Sequence, residues 1–240
     1  IKIEDVRRPA AGIIIHIGEV MHGTVRSGDT GLLKVDQQRR MDIMRNHTAT
    51  HLLHAQLHKV LGSHARQAGS LVAPDRLRFD FTHPEALTQD QLDAIENGVN
   101  REILASHQLS IKEKPLQEAM AEGAMALFGE KYGEKVRTVT IDEKDPISYE
   151  LCGGTHVDDT GDIGTFLILT EGSAAAGIRR IEAVTGKGAY EVIQSRNRIL
   201  RRAARLTNSS MEEIVAKINT LQDEIESLHA ELRRVRQEWV

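Results

Sequence analysis

The chain has 240 residues, of which 40% are hydrophobic, 28% charged and 3% aromatic. That length carries one large domain or two small ones with ample core, and the formal charge of −4 supplies no basic field that would advertise a polyanion partner. Scarce aromatics argue against base stacking as the main mode of nucleic-acid binding, and the single cysteine excludes an internal disulfide and fits a reducing compartment. No run approaches the roughly 18 apolar residues of a membrane span, and no signal-peptide pattern opens the chain. A cytoplasmic protein without membrane contact is the expectation. Because the chain opens at Ile1 without a methionine and ends inside a helical repeat, it reads as a piece of a longer protein.

Residues 1–40 carry strand and turn signals: the β-branched run Ile13 to Ile17, short apolar runs between glycines, and a hairpin-like Ser27-Gly28-Asp29-Thr30-Gly31. A small β-barrel or β-rich module is predicted there. From about Arg39 to Leu61 the period becomes helical, with Gly62 as a natural stop. Leu77, Phe79 and Phe81 alternate with Arg78 and Asp80 as a half-buried strand, and Thr88 to Gln91 reads as a capping box for the helix through Leu104. Leu109 to Glu113 is a short strand, and Pro115 starts a helix predicted to run through Met125 to Leu127. Strands follow at Val136–Ile141, Ile147–Cys152, Ile163–Leu169 and Ile178–Val184. The order lacks regular alternation, which predicts an α+β fold, a mixed sheet with helices packed on it.

The last third is helical. From Met211 onward Ile214, Ile218, Leu221, Ile225, Leu228, Leu232, Val235 and Trp239 keep heptad spacing, which predicts a coiled coil or long helical hairpin. Before it, Arg196, Arg198, Arg201, Arg202 and Arg205 form a basic cluster with no acidic residue between them. A solvated face is the plain reading, and contact with phosphate is the sharper one. The domain boundaries that follow are 1–40, 41–190 and 191–240.

The chemistry concentrates in two places. His47 and His51 stand four residues apart on one helical face, the usual way for a helix to offer two imidazoles to one metal ion. His54 and His58 continue the same stripe as packing or outer residues. About a hundred residues on, Cys152 precedes His156 by four, with Gly153 and Gly154 beside it to let the backbone turn. His47, His51, Cys152 and His156 make a tetrahedral nitrogen and sulfur set suited to Zn2+. A peptide-cleaving zinc site would need a glutamate directly after the first histidine, and that residue is Thr48.

Taken together, Asn46 to His54, Gly62-Ser63-His64 with Gln67 to Ser70, Arg78 to Phe81, Ala126 to Gly133, Glu150 to Val157 and Ala176 to Ala183 resemble the editing region of the alanyl-tRNA synthetase family. The editing domain of threonyl-tRNA synthetases is similar and shares the histidine and cysteine spacing. The Gly153-Gly154-Thr155 insert and the Phe128 to Gly133 stretch look like the alanyl branch. The resemblance implies hydrolysis of serine or glycine wrongly esterified to the tRNA for alanine. It also implies zinc on the four ligands, a pocket lined by Thr50 and Gln67, a β-barrel before the editing core, and a helical segment leading to an oligomerising C-terminal domain. The rest of the parent synthetase, its aminoacylation domain included, is then a partner outside this chain, and the chain itself does not charge tRNA. Thr50, Gln67 and Cys152 are the candidate catalytic residues. Thr50, Gln67, Gly153 and Gly154 are the candidate substrate contacts, and Arg196, Arg201 and Arg205 the candidate tRNA contacts. Zinc either keeps all four ligands and orders the pocket, or loses Cys152 and activates water. Neither ligand motif contains a carboxylate base, which leaves the proton acceptor unassigned. A free-standing editing factor and a non-catalytic, zinc-stabilised tRNA-binding module are the alternatives.

Overall fold

The computed structural model describes residues 1–10, 12–126 and 132–239. Its chain divides into two compact units, Ile1–Asp36 and Gln37–Val240. In the first, β1 (Lys2–Ala10) pairs antiparallel with β2 (Ile13–Glu19), from Lys2 opposite Glu19 to Ala10 opposite Ile13. Among the described residues this unit closes no barrel. Two strands alone have no second layer to cover either face, and every residue of both is exposed. The Ser27–Gly31 signal does produce a turn, with Asp29 N–H donating to Arg26 O at 3.1 Å and the Asp29 carboxylate accepting from Arg26 N–H at 2.8 Å. No strand flanks it, so it joins no hairpin.

The second unit is α+β. Its long first helix, α1 (Gln37–Leu61), packs between a second helix, α2 (Gln89–Leu104), and an open antiparallel sheet. That sheet has the order β3 (Gln67–Val72), β4 (Leu77–Thr82), β9 (Ile178–Thr185), β8 (Phe166–Ala175). A second antiparallel sheet, β5 (Leu109–Pro115), β6 (Lys135–Ile141), β7 (Ser148–Leu151), brings its last strand against α1. The main core joins Ala49, Leu52, Leu53 and Leu57 of α1 to Phe79 and Phe81 of β4 and to Ile95 and Val99 of α2. The alternation of Leu77, Phe79 and Phe81 thus points where the period of two says it should. Gly98 permits the close approach of α2, since a Cβ there would sit 2.3 Å from Gln56 Oε1.

The capping box is present in both directions: Gln91 N–H donates to Thr88 Oγ1 at 3.2 Å, and Thr88 N–H to Gln91 Oε1 at 2.9 Å. The helix begun at Pro115 is shorter than expected. It forms α3 (Leu116–Ala121) and stops at Gly123, whose φ of 93° leaves the helical region. Met125 instead pairs with β7, donating to Tyr149 O at 2.8 Å and accepting from Leu151 N–H at 2.9 Å. Leu127, the predicted end of that helix, lies outside the described residues, as does most of the Phe128 to Gly133 stretch. The tail is two helices, α4 (Gly186–Thr207) and α5 (Ile214–Glu238), broken where Asn208 adopts a left-handed φ of 50°. The heptad stripe of α5 is mostly open to solvent, with Leu228 62% and Ile225 53% exposed. No helix among the described residues is long and apolar enough to cross a membrane.

Candidate metal centre

Asn46 fixes the helix that carries the histidines. Its amide donates to Ala73 O at 2.7 Å and its carbonyl oxygen accepts from Thr185 Oγ1 at 2.7 Å, tying α1 to the β3–β4 turn and the end of β9. One turn of α1 then presents His47 and His51 toward the end of β7. Strand alternation puts Ser148, Glu150 and Cys152 on the same side. The loop after Cys152 is held by Arg137 of β6, whose Nη1 donates to Cys152 O at 2.9 Å and Gly154 O at 2.5 Å.

This brings the four predicted ligands together. Each offers one ligand atom, and all four atoms lie within 4.8 Å of one another. Cys152 Sγ is 3.4 Å from His47 Nε2 and 3.3 Å from His156 Nε2. The outer nitrogens of His47 and His156 are hydrogen-bonded elsewhere. His47 Nδ1 lies 3.1 Å from Thr155 O, and His156 Nδ1 3.1 Å from Thr48 Oγ1. His51 Nδ1 is 3.0 Å from Glu150 Oε2, close but off the hydrogen-bonding direction. A carbonyl can only accept, so His47 carries a proton on Nδ1, and Nε2 is the nitrogen it turns toward Cys152. Ligand imidazoles held from behind in this way are what a metal site needs.

The glycines act differently from the expected sharp turn. Neither has a positive φ. Gly154 is required by packing, because a Cβ there would fall 2.0 Å from His47 Cε1. Gly153 meets nothing within 4 Å. The Gly154 N–H points to Cys152 Sγ at 3.5 Å.

Protonation favours metal binding. Burial pushes the Cys152 thiol up, but hydrogen bonds from His156, His47 and His51 and the charge on His51 together bring it down to about 3. The thiolate is the ligating form. Burial lowers His156 to about 4, only partly opposed by its bond to Cys152, which leaves it neutral and able to ligate. Burial disfavours the charged form of His51 as well, yet the Glu150 carboxylate and Cys152 raise it to about 10. Burial likewise opposes ionisation of Glu150, and the charge of His51 with the hydrogen bond from His54 overcomes it, holding that carboxylate well below the usual range. One proton thus sits on His51 between two anions and has to leave when a metal takes its place. The donor set fits a metal ion of zinc's preferences.

The remaining expected residues scatter. Thr50 is buried, its hydroxyl donating to Asn46 O at 2.8 Å. Gln67 lies at the start of β3 and lines a cavity of about 470 Å³ with His54 and His58, a lining that does not include Thr50. Arg196, Arg201 and Arg205 are all exposed on α4. Arg201 and Arg205 share a face, while Arg196 stands about 140° round the helix from Arg201. Sequence reasoning missed Thr48, Thr155, Arg137 and above all Glu150 as supports of the ligands. The alternation of Ser148, Glu150 and Cys152 in one strand was the available signal.

Comparison with known proteins bears on this arrangement. Residues 136–182 match the family described as the threonyl and alanyl tRNA synthetase second additional domain. The chain is 46% identical over 250 residues to an alanine–tRNA ligase of Chloroflexus aurantiacus, covering 98% of this chain and 28% of that protein. It is 47% identical over 236 residues to the alanine–tRNA ligase of Xanthomonas campestris pv. campestris, covering 98% and 26%. The Xanthomonas oryzae pv. oryzae enzyme is 47% identical over 239 residues, covering 97% and 27%. Residues 136–182, which carry Cys152 and His156, are therefore similar to a second additional domain of a tRNA synthetase, while His47 and His51 lie outside that match. Over nearly its whole length the chain is similar to alanine–tRNA ligases, and it spans little more than a quarter of the length of these relatives.

Proposed function

We propose that this chain is an editing hydrolase that removes serine or glycine esterified to the tRNA for alanine, using Zn2+ held by His47, His51, Cys152 and His156. The observation that carries the reading is the converging quartet with the outer nitrogens of His47 and His156 held from behind, in a chain similar to alanine–tRNA ligases. When bound, the metal would supply a fixed positive charge that positions the substrate and polarises its ester. Everything else falls to the chain. Thr48, Thr155 and Glu150 keep the imidazoles oriented, and Arg137 holds the loop that carries Cys152 and His156.

Selectivity follows from what serine has and alanine lacks. A site that bonds a hydroxyl disfavours the ligand without one, because its own polar groups are then left unpaired. Gln67 and Thr50 are the residues proposed for that bond, and glycine enters by size. Thr50→Val or Gln67→Ala should slow serine release about tenfold or more while leaving the melting temperature nearly unchanged; equal losses in both would remove the pocket assignment. The solvent-facing Arg201 and Arg205 are the proposed phosphate contacts. The partners are the tRNA for alanine and the remainder of a synthetase.

A second reading, a zinc-stabilised tRNA-binding module without catalysis, is favoured by the completeness of the ligand set, since closed four-ligand sites are usually structural. One experiment separates the two. The chain is incubated with alanine tRNA carrying serine and, separately, alanine. Parallel samples are stripped of metal or carry Cys152→Ala. Loss of serine with alanine spared, abolished in both controls, supports the hydrolase. Tight tRNA binding with the ester intact supports the binding module.

A further inference from the structure

Arg137 of β6 holds the loop after Cys152 with one nitrogen only: Nη1 donates to Cys152 O at 2.9 Å and to Gly154 O at 2.5 Å. Its Nε and Nη2 make no hydrogen bond among the described residues, and since neither is buried they face solvent. No carboxylate balances the charge. Glu113 is the cross-strand neighbour of Arg137, yet among the described residues the two form no ion pair. On β9 the same group is used differently. Arg179 gives Nε and Nη2 to Glu171, and Arg180 gives the same two nitrogens to Asp80. A guanidinium fork left without a carboxylate is shaped to take two oxygens of an anion.

That fork lies on the open side of the quartet. His51 and His156 are buried, while His47 and Cys152 keep part of their surface. Gly153 is exposed, and a Cβ there would meet nothing within 4 Å. A substrate arriving from solvent therefore passes His47, Cys152 and Gly153, beside the two carbonyls that Arg137 holds. Two residues further out along β6, the period of a strand places Lys135 on the same side, exposed and without an ion pair among the described residues. With a net charge of −4, attraction of a polyanion depends on such local cations. An amino acid esterified to the last ribose of a tRNA has as its nearest anion the phosphate on the 5′ side of that same ribose, one sugar from the bond to be cut. A cation one residue from the ligands stands where that phosphate comes when the ester is at the metal centre. Phosphate contacts of this kind fix the register of a nucleic acid.

We propose that Arg137 binds the phosphate of the terminal nucleotide of the tRNA through Nε and Nη2, while Nη1 keeps the loop in place. The inference rests on the ester-hydrolase reading above and adds a phosphate subsite to it. Arg137 is a positioning residue: it sets the ester over the quartet and takes no part in the bonds that form and break.

The test compares the zinc-loaded wild-type chain with Arg137→Met, metal content measured for both, on two small esters: serine on the ribose of adenosine, and serine on the same ribose of adenosine 5′-monophosphate. The wild type should favour the phosphorylated ester by about tenfold or more in kcat/KM, with the gain in KM. In Arg137→Met that ratio should fall toward one, whatever both rates lose through the loop. In the wild type, the NMR signal of the Arg137 Nε–H should shift on adding adenosine 5′-monophosphate and stay in place on adding adenosine. A wild-type ratio near one, a ratio that Arg137→Met leaves unchanged, or an Nε–H signal that ignores the phosphate would each overturn the proposal. An equal loss on both esters in the variant is the result of loop support alone. If Arg137→Met does not fold, the wild-type ratio and the Nε–H signal decide. If the wild type cleaves neither small ester, the Nε–H signal decides the phosphate subsite by itself. Alanine tRNA carrying serine that is also left intact fails differently, because it removes the hydrolase reading.

Discussion

Two helices of 25 residues, α1 and α5, meet opposite fates. The first is buried almost without interruption from Asn46 to Leu57, polar side chains included. The second keeps a clean heptad and, of that helix, only Ile214 is buried. Heptad spacing therefore predicts a helix but says nothing of what covers it. A helix enclosed by a sheet on one side and a second helix on the other loses its amphipathic pattern, and its polar atoms must find partners inside the protein. In α1 those partners are Ala73, Thr185, Thr155, His156 and Glu150. Satisfying the buried helix is what builds the candidate metal centre.

The largest expected effect is on protonation. In the metal-free chain the Cys152 thiolate should persist as the pH falls through about 5 and vanish only toward 3, where an ordinary thiol titrates near 8.5. Ultraviolet thiolate absorbance reads this directly, and a midpoint near 8 would contradict it. The linkage has a definite sign. A depressed thiol contributes stability above its unfolded value and loses it on acidification toward about 3. His51, raised to about 10, contributes below its ordinary value of about 6.5 and loses that as the pH rises through 10. The metal-free chain should thus melt lower at both extremes than near neutrality.

Next in size is the contrast between the two helices. Leu53→Ala in α1 should cost about 2–5 kcal/mol, since that side chain is fully buried. The smaller local change Gly154→Ala should weaken zinc about tenfold or more in a chelator competition, with the fold intact, because the added methyl falls on His47. Wild-type affinity in that variant would show that the loop gives way freely. The smallest effect is Leu228→Ala in α5, expected within about 0.5 kcal/mol in thermal unfolding. A loss comparable to Leu53→Ala would mean that the heptad face is covered in solution.

Much of this was legible in the residues. The ligand quartet, the alternation in β4 and the capping box each rest on spacing within a few residues, which local geometry enforces. What escaped depends on contacts between distant segments. Glu150 looks like an unremarked strand residue until β7 meets α1, and Gly154 looks like a turn former until His47 packs on it. Gly123 and the pairing of Met125 with β7 end a helix that propensity alone would have continued. The first unit is β-rich as expected, but apolar runs mark only the strands, and closing them into a barrel needs partners that its described residues do not supply.

The central claim is that four side chains from α1 and the loop after β7 bind one metal ion. Cobalt substitution tests it most directly. The account predicts one cobalt per chain, the intense visible bands of a tetrahedral ion, and a thiolate charge-transfer band that disappears in Cys152→Ser. A weak octahedral spectrum, or a charge-transfer band that survives that substitution, would contradict it.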